Sequence, residues 1–214
     1  MTVSAGDRVA LTGASGAGKS LLLRSLALLD PVDSGEIRFQ GRVVADAEIP
    51  KFRSQVMYLG QRSAFVEGTV EENLRAPFLL KTHADQSFNA KRILGWLEQL
   101  GRDETFLKQR HSQLSGGEAQ IVSMLRALQL DPLVLLADEP TSAMDAQTAS
   151  AAEELVLRWL METTGSSSES QLNRALVWVS HDTAQAQRLA TRTVSINGGQ
   201  VEDSSKQAAV NPDE

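Results

Sequence analysis

Gly13-Ala14-Ser15-Gly16-Ala17-Gly18-Lys19-Ser20 is the stretch on which the reading of this chain turns. A short apolar run at residues 8–12 precedes it, and apolar residues at helical spacing follow over 19–29, so a glycine-rich loop joins a buried strand to a helix. Glycines let consecutive backbone N–H groups turn inward in a tight loop, and the helix adds the partial positive charge of its N-terminus. Gly, four residues, Gly-Lys-Ser in that setting forms a cradle for phosphate oxygens. Gly13, Ser15, Gly16, Ala17 and Gly18 form the loop, Lys19 reaches the β and γ phosphates, and the Ser20 hydroxyl is offered to magnesium. Leu21 contributes its backbone N–H alone. An ordinary glycine-rich turn is the alternative, and kinases, GTPases and ATPases share the loop, so it does not name a reaction.

Around the loop, the chain has 214 residues, 42% of them hydrophobic, enough for one domain with a buried core and a small attached lobe. The net charge of -6 argues against sequence-independent nucleic-acid binding, which depends on Lys and Arg displacing counterions from phosphates. There is no cysteine, hence no disulfide or thiolate metal site. Residues 1–7 lack the layout of a secretion signal. No apolar run approaches the ~20 residues of a membrane-spanning helix, so a membrane role would come through a partner.

Strand-length apolar runs alternate with helical segments, the pattern of an α/β fold with a mainly parallel sheet. Further strands are expected at 56–59, 133–137, 176–180 and 193–196, and a small antiparallel hairpin at 36–40 and 42–44 around Gly41. Between 61 and 113 the pattern is wholly helical. Thr69 with Glu72 reads as a capping box, and 87–100 reads as a helix ending at Gly101. The expected organisation is a core formed by 1–62 and 131–203, an inserted helical subdomain at 63–130, and a disordered tail at 204–214. A long helix is expected over 145–164 and a flexible loop over 165–169.

Two further elements carry chemistry. The apolar strand at 133–137 runs into Asp138-Glu139-Pro140: Asp138 would hold magnesium and Glu139 would orient or deprotonate a water. Pro140 is expected to keep Glu139 extended. Leu114-Ser115-Gly116-Gly117-Glu118 opens a helix whose stripe is Ile121, Met124, Leu125 and Leu128, making a second anion site. Two helix starts so far apart do not readily hold one γ-phosphate, so the second would serve another copy's nucleotide.

At this point the chain resembles the nucleotide-binding subunit of an ABC transporter, whose defining signature is the Leu-Ser-Gly-Gly run. The phosphate loop, Gln61, 114–118 with Gln120, Asp138-Glu139, Ser142-Ala-Met-Asp145 and His181 follow that family's order over nearly the whole chain. The resemblance implies an ATPase of the P-loop fold using ATP and Mg2+. It implies a head-to-tail homodimer in which Ser115, Gly116, Gly117 and Glu118 act across the interface. It further implies Glu139 as catalytic base, His181 on the γ-phosphate, Gln61 sensing magnesium and the attacking water, and Asp145 linking the two sites. Individually, Gln61 and His181 read as polar strand-end residues and Asp145 as a helix cap.

The resemblance also implies that a membrane permease docks around 65–78, where Phe65 and Phe78 serve equally well as internal packing. The subunit would lie in the cytoplasm, on the inner face of the membrane. The compact helical part and residues 65–70 resemble small bacterial exporter ATPases of iron or metal homeostasis; lipoprotein release and amino-acid import stay open. Three departures bear on these expectations. The family has about two strands and an adenine-stacking aromatic ahead of the loop, whereas this sequence starts almost at it. Leu21 replaces a hydroxyl residue and Ile121 an arginine. Weakened nucleotide binding is the expectation. A regulatory ATP-binding subunit without turnover and a soluble ABC-type ATPase outside transport are the competing readings.

Overall fold

The computed structural model describes residues 1–162 and 174–203; the loop expected at 165–169 and the tail at 204–214 lie outside the described residues. Strand β1 (Arg8–Gly13) buries Val9, Ala10 and Leu11 and passes through the glycine-rich loop into α1 (Lys19–Leu26). A small antiparallel pair, β2 (Arg38–Phe39) and β3 (Arg42–Val43), turns at Gly41 with φ 78°. Then come α2 (Ile49–Gln55) and β4 (Val56–Leu59). The next stretch is helical, with α3 (Val70–Arg75), α4 (Ala90–Gln99) and α5 (Gly116–Leu128), each joined to the next through two short 3-10 segments. The chain continues with β5 (Val134–Asp138), α6 (Ala146–Met161), β6 (Ala175–Val179), α7 (Thr183–Leu189), β7 (Arg192–Asn197) and β8 (Gln200–Asp203).

Six strands form one sheet in the order β4-β5-β6-β1-β7-β8, parallel throughout except for β8, which returns antiparallel along β7. A parallel sheet is covered on both faces, and its strands are correspondingly apolar from end to end: all five residues of β6 are buried. Leu135, Ala137, Leu176 and Trp178 face α5 and α6 and share one core with Val70, Leu74, Ile93 and Leu97 of the helical stretch. Val9, Leu11, Leu136, Val177 and Val194 face the opposite way, against Leu23 and Ala27.

Caps set most helix starts. Thr69 and Glu72 close a capping box on α3, with Thr69 Oγ1 accepting from the Glu72 N–H at 3.2 Å and Glu72 Oε2 accepting from the Thr69 N–H at 2.7 Å. The helix expected from residue 87 begins at Ala90, because Asn89 caps it by accepting from the Arg92 N–H. The helix expected to reach residue 29 stops at Leu26. Leu28 adopts φ 55°, its carbonyl takes a hydrogen bond from the Arg53 guanidinium, and the chain turns away. Two elements lack a sequence signal. Helix α2 carries Pro50 in its first turn and buries only Phe52, and β8 is largely exposed, so neither leaves a periodic apolar pattern.

A charged network ties the helical stretch to the sheet. Arg92 of α4 makes two bonds to Asp131, at 2.7 and 2.8 Å, and the buried Arg174 makes a third at 2.7 Å while lying over the Trp159 ring. The planar guanidinium fork suits this shared carboxylate.

Candidate functional site

Four neighbouring strands, β4, β5, β6 and β1, run parallel and therefore end at the same edge of the sheet. Gln61 follows β4, Asp138 and Glu139 sit at the end of β5, His181 follows β6, and the glycine-rich loop follows β1. Residues dispersed over most of the chain thus meet in the crevice where ligands of parallel α/β sheets bind.

The loop is tied into β7. Gly13 has φ 146°, and a Cβ there would stand 2.5 Å from the Ile196 carbonyl oxygen, so only glycine fits. Lys19 is buried, and its Nζ donates to the carbonyls of Gly13 at 2.8 Å and Ala14 at 2.9 Å, holding an ammonium across the loop mouth. Ser15, Gly16, Gly18, Lys19, Ser20 and Leu21 line one wall of a cleft of about 340 Å³; Gln61, Glu139 and His181 form the other.

Glu139 is the centre of that second wall. Its Oε2 accepts from Gln61 Nε2 at 3.0 Å, and its Oε1 lies 2.6 Å from His181 Nε2. The extended conformation expected ahead of Pro140 is not adopted: Glu139 has φ 50°. A proline disfavours the right-handed helical region for the residue before it but leaves the left-handed one open, and a tight turn uses it here. In that turn the Glu139 carbonyl accepts from the Ser142 N–H at 3.2 Å.

Asp138, next to Glu139, is buried and does not itself line the cleft, and its Oδ2 accepts from the Tyr58 hydroxyl at 3.0 Å. Burial pushes the Tyr58 phenol well above its ordinary value, and the Asp138 carboxylate pushes the same way, so the hydroxyl stays a donor. The sequence pattern marks Tyr58 only as part of a core strand. The available signal is register: Tyr58 pairs with Leu136, two residues before Asp138 and on the same face.

The helix start expected to form a second anion site lies elsewhere. Ser115 caps α5 and forms a capping box with Glu118, whose Oε2 accepts from the Ser115 N–H at 2.9 Å. That bond is the main reason the Glu118 carboxyl sits below the usual glutamate range. A Cβ on Gly117 would approach the Ala143 carbonyl oxygen to 2.8 Å, so the absent side chain lets α5 lie against the segment after Glu139. Gln120 fastens the two, donating to Ser142 Oγ at 3.0 Å and accepting from the Ala143 N–H at 2.9 Å. Asp145 caps α6 through the Thr148 N–H and hydroxyl, at 2.9 and 2.7 Å, and the hydroxyl bond foremost holds its carboxyl low. None of Ser115, Gly116, Gly117 and Glu118 lines the cleft.

A family model described as ABC transporter matches residues 1–142. The chain belongs to the ABC transporter family.

This ABC family member is 35% identical over 202 residues to an sn-glycerol-3-phosphate import ATP-binding protein of Rhizobium johnstonii, covering 94% of this chain and 52% of that protein. It is 34% identical over 181 residues to the probable iron export ATP-binding protein FetA of Escherichia coli, covering 85% and 75%. The chain thus spans about half the length of most of the curated relatives it matches. Among solved structures, a dimeric ATP-binding cassette in a post-hydrolysis state with ADP and Pi superimposes with a TM-score of 0.78 at 26% identity, covering 95% of this chain and 88% of that one. The fold is that of the ABC cassette.

Proposed function

We propose that this ABC family member is the ATP-hydrolysing subunit of a transporter, coupling ATP-driven dimerisation to a membrane permease. The observation that carries the proposal is Glu139, held between Gln61 at 3.0 Å and His181 at 2.6 Å across the cleft from the phosphate loop. In this reading the core at 1–62 and 131–203 binds nucleotide, and the helical subdomain at 63–130 presents the signature residues.

On nucleotide binding, Lys19 exchanges its two loop carbonyls for β and γ phosphate oxygens, and the N–H groups of Gly13, Ser15, Gly16, Ala17, Gly18, Lys19, Ser20 and Leu21 point inward. The Ser20 hydroxyl, the Gln61 amide oxygen and Asp138 are hard oxygen donors, and they suit Mg2+ shared with the phosphates. When bound, magnesium neutralises charge on the β and γ oxygens. Glu139 takes the proton of the attacking water. Each of its oxygens carries two lone pairs, so a water can be accepted beside Gln61 or in place of His181. His181, released, meets the γ-phosphate.

Ser115, Gly116, Gly117 and Glu118 stand outside their own chain's cleft, which supports their acting on the nucleotide of a second copy, with Asp145 at the same interface. For the permease, a groove of about 740 Å³ runs between α2, β4 and the helical stretch, lined by Met57, Tyr58, Val66, Pro77, Leu80 and Arg126 among others. Phe65 and Phe78 pack on their own chain, against His111 and Phe88, whereas Val66, Leu79 and Leu80 stay exposed for a partner. Among the described residues no helix is long and apolar enough to cross a membrane, so a place at the cytoplasmic face is reached through that partner. The likeness to the probable iron exporter FetA is matched by that to the sn-glycerol-3-phosphate importer, so the permease sets substrate and direction.

Purified wild-type chain and Glu139→Gln test the reading. Phosphate release falls to background in the variant while ATP-dependent dimerisation, followed by light scattering, persists. Equal phosphate release from both proteins overturns the assignment of Glu139.

A further inference from the structure

The chain contains one tyrosine, and it sits where three things meet. The Tyr58 hydroxyl donates to Asp138 Oδ2 at 3.0 Å. The ring lies over the Gly60 backbone so closely that a Cβ on Gly60 would stand 3.0 Å from Cε1 and 3.4 Å from the hydroxyl oxygen. Gly60 in turn precedes Gln61, which donates to Glu139. No other hydrogen bond to the Asp138 side chain occurs among the described residues.

From this geometry we infer that Tyr58 is a positioning residue for Asp138, fixing the rotation of its carboxylate so that Oδ1 faces the cleft for the metal. A carboxylate with one engaged oxygen has its plane and its free lone pairs set before any ligand arrives, as groups behind a metal ligand do generally. Register makes the contact possible. Tyr58 is level with Leu136 on β5, and Asp138 stands two residues further along the same face, roughly 6.6 Å at strand rise, within reach of a phenol but beyond shorter side chains. Gly60 bears on the same line, because an added Cβ meets the ring edge at 3.0 Å and ring or backbone must give by a few tenths of an ångström. The inference deepens the proposed function and rests on its assignment of Asp138 to the magnesium site.

The test measures binding, not turnover. A fluorescent ATP analogue is titrated into wild type, Tyr58→Phe and Gly60→Ala, first in EDTA and then at fixed nucleotide against rising Mg2+. Tyr58→Phe keeps the ring and loses the hydroxyl; Gly60→Ala keeps the hydroxyl and shifts it. Metal-free nucleotide affinity is expected to be unchanged in both, while half-saturating Mg2+ rises roughly tenfold, the lower end of the effect of removing a group behind a metal ligand. Mg2+ curves coinciding with wild type overturn the inference, as does an equal loss with and without Mg2+, which marks a structural role alone. Failure of the wild type itself to bind nucleotide, or to bind it more tightly with Mg2+, instead overturns the proposed function on which the inference rests.

Discussion

His181 Nε2 lies 2.6 Å from Glu139 Oε1 although the two residues follow different strands. With Gln61 on the other oxygen, the carboxylate is clamped from both sides across the cleft from the phosphate loop. In the proposed function His181 meets developing charge, so in His181→Ala saturating MgATP turnover should fall ~10²-fold, in the range of a single stabilising donor. ATP binding without hydrolysis should stay within a few-fold. Phosphate release and equilibrium titration measure the two.

Gly117→Ala is expected to fail for a steric reason. The added Cβ would meet the Ala143 carbonyl oxygen at 2.8 Å, a backbone atom that cannot swing aside. Displacing α5 should cost about 1–3 kcal/mol in urea unfolding, as overpacking does. ATP-dependent dimerisation should be lost along with it, whereas Gly95→Ala, which meets nothing within 4 Å, should leave dimerisation intact.

Gln120→Ala strips the latch between α5 and the turn after Glu139. The Ala143 N–H loses its side-chain acceptor, and because Ala143 is exposed the loss is that of an ordinary hydrogen bond, about 0.5–1.5 kcal/mol. Chemical denaturation measures the cost. A variant as stable as wild type would mean that other contacts hold the segment.

The Glu118 cap predicts a pH dependence. Its carboxyl titrates below the ordinary value of 4.5, chiefly through the Ser115 N–H, so the ionised form stabilises the fold. Because the folded value is depressed, that contribution is present in full above 4.5 and is lost as pH falls through the lower folded value. Glu118→Gln should therefore be less stable at neutral pH, by about 0.5–1 kcal/mol for a first-turn charge and its cap. The gap between urea midpoints of the two proteins should close as pH drops below 4.5.

Asp131→Ala leaves the buried Arg174 guanidinium without its closest carboxylate and leaves Arg92 of α4 with Glu162 alone. Because Glu162 still faces both arginines, the loss of the Asp131 hydrogen bonds should cost about 1.5–3 kcal/mol. Thermal unfolding checks it, and the loss should exceed that of Glu154→Ala, whose partner Arg158 is exposed.

Features set within a few consecutive residues are legible in the sequence itself. The phosphate loop, the Thr69 box, the Asp145 cap and the hairpin at Gly41 each arise from local backbone chemistry, which short spacings report. Where the fold departs from the sequence pattern, the cause is nonlocal or competing. The proline neighbour alone favours an extended Glu139, but the turn closed by Ser142 takes it left-handed. Helix α1 ends early in a closing turn with Leu28 left-handed, Leu29 N–H bonded to the Arg24 carbonyl and Leu28 N–H to that of Ser25, and a leucine there leaves no mark in the apolar pattern. Tyr58 carries no sequence mark of a site residue, because its meaning depends on which strand lies beside β4.

Residue types at short spacings are enough to mark a glycine-rich loop between strand and helix, a carboxylate pair at a strand end, a capped glycine pair opening another helix, and the family they belong to. The backbone realises each of these locally, so the linear chain is enough to specify them. Only folding in three dimensions settles that Gln61, Glu139 and His181 meet while Ser115 stays outside the cleft, and that Tyr58 stands behind Asp138. Strand order and register bring distant residues together, and these follow from the burial of both faces of a parallel sheet, which no short stretch of sequence encodes.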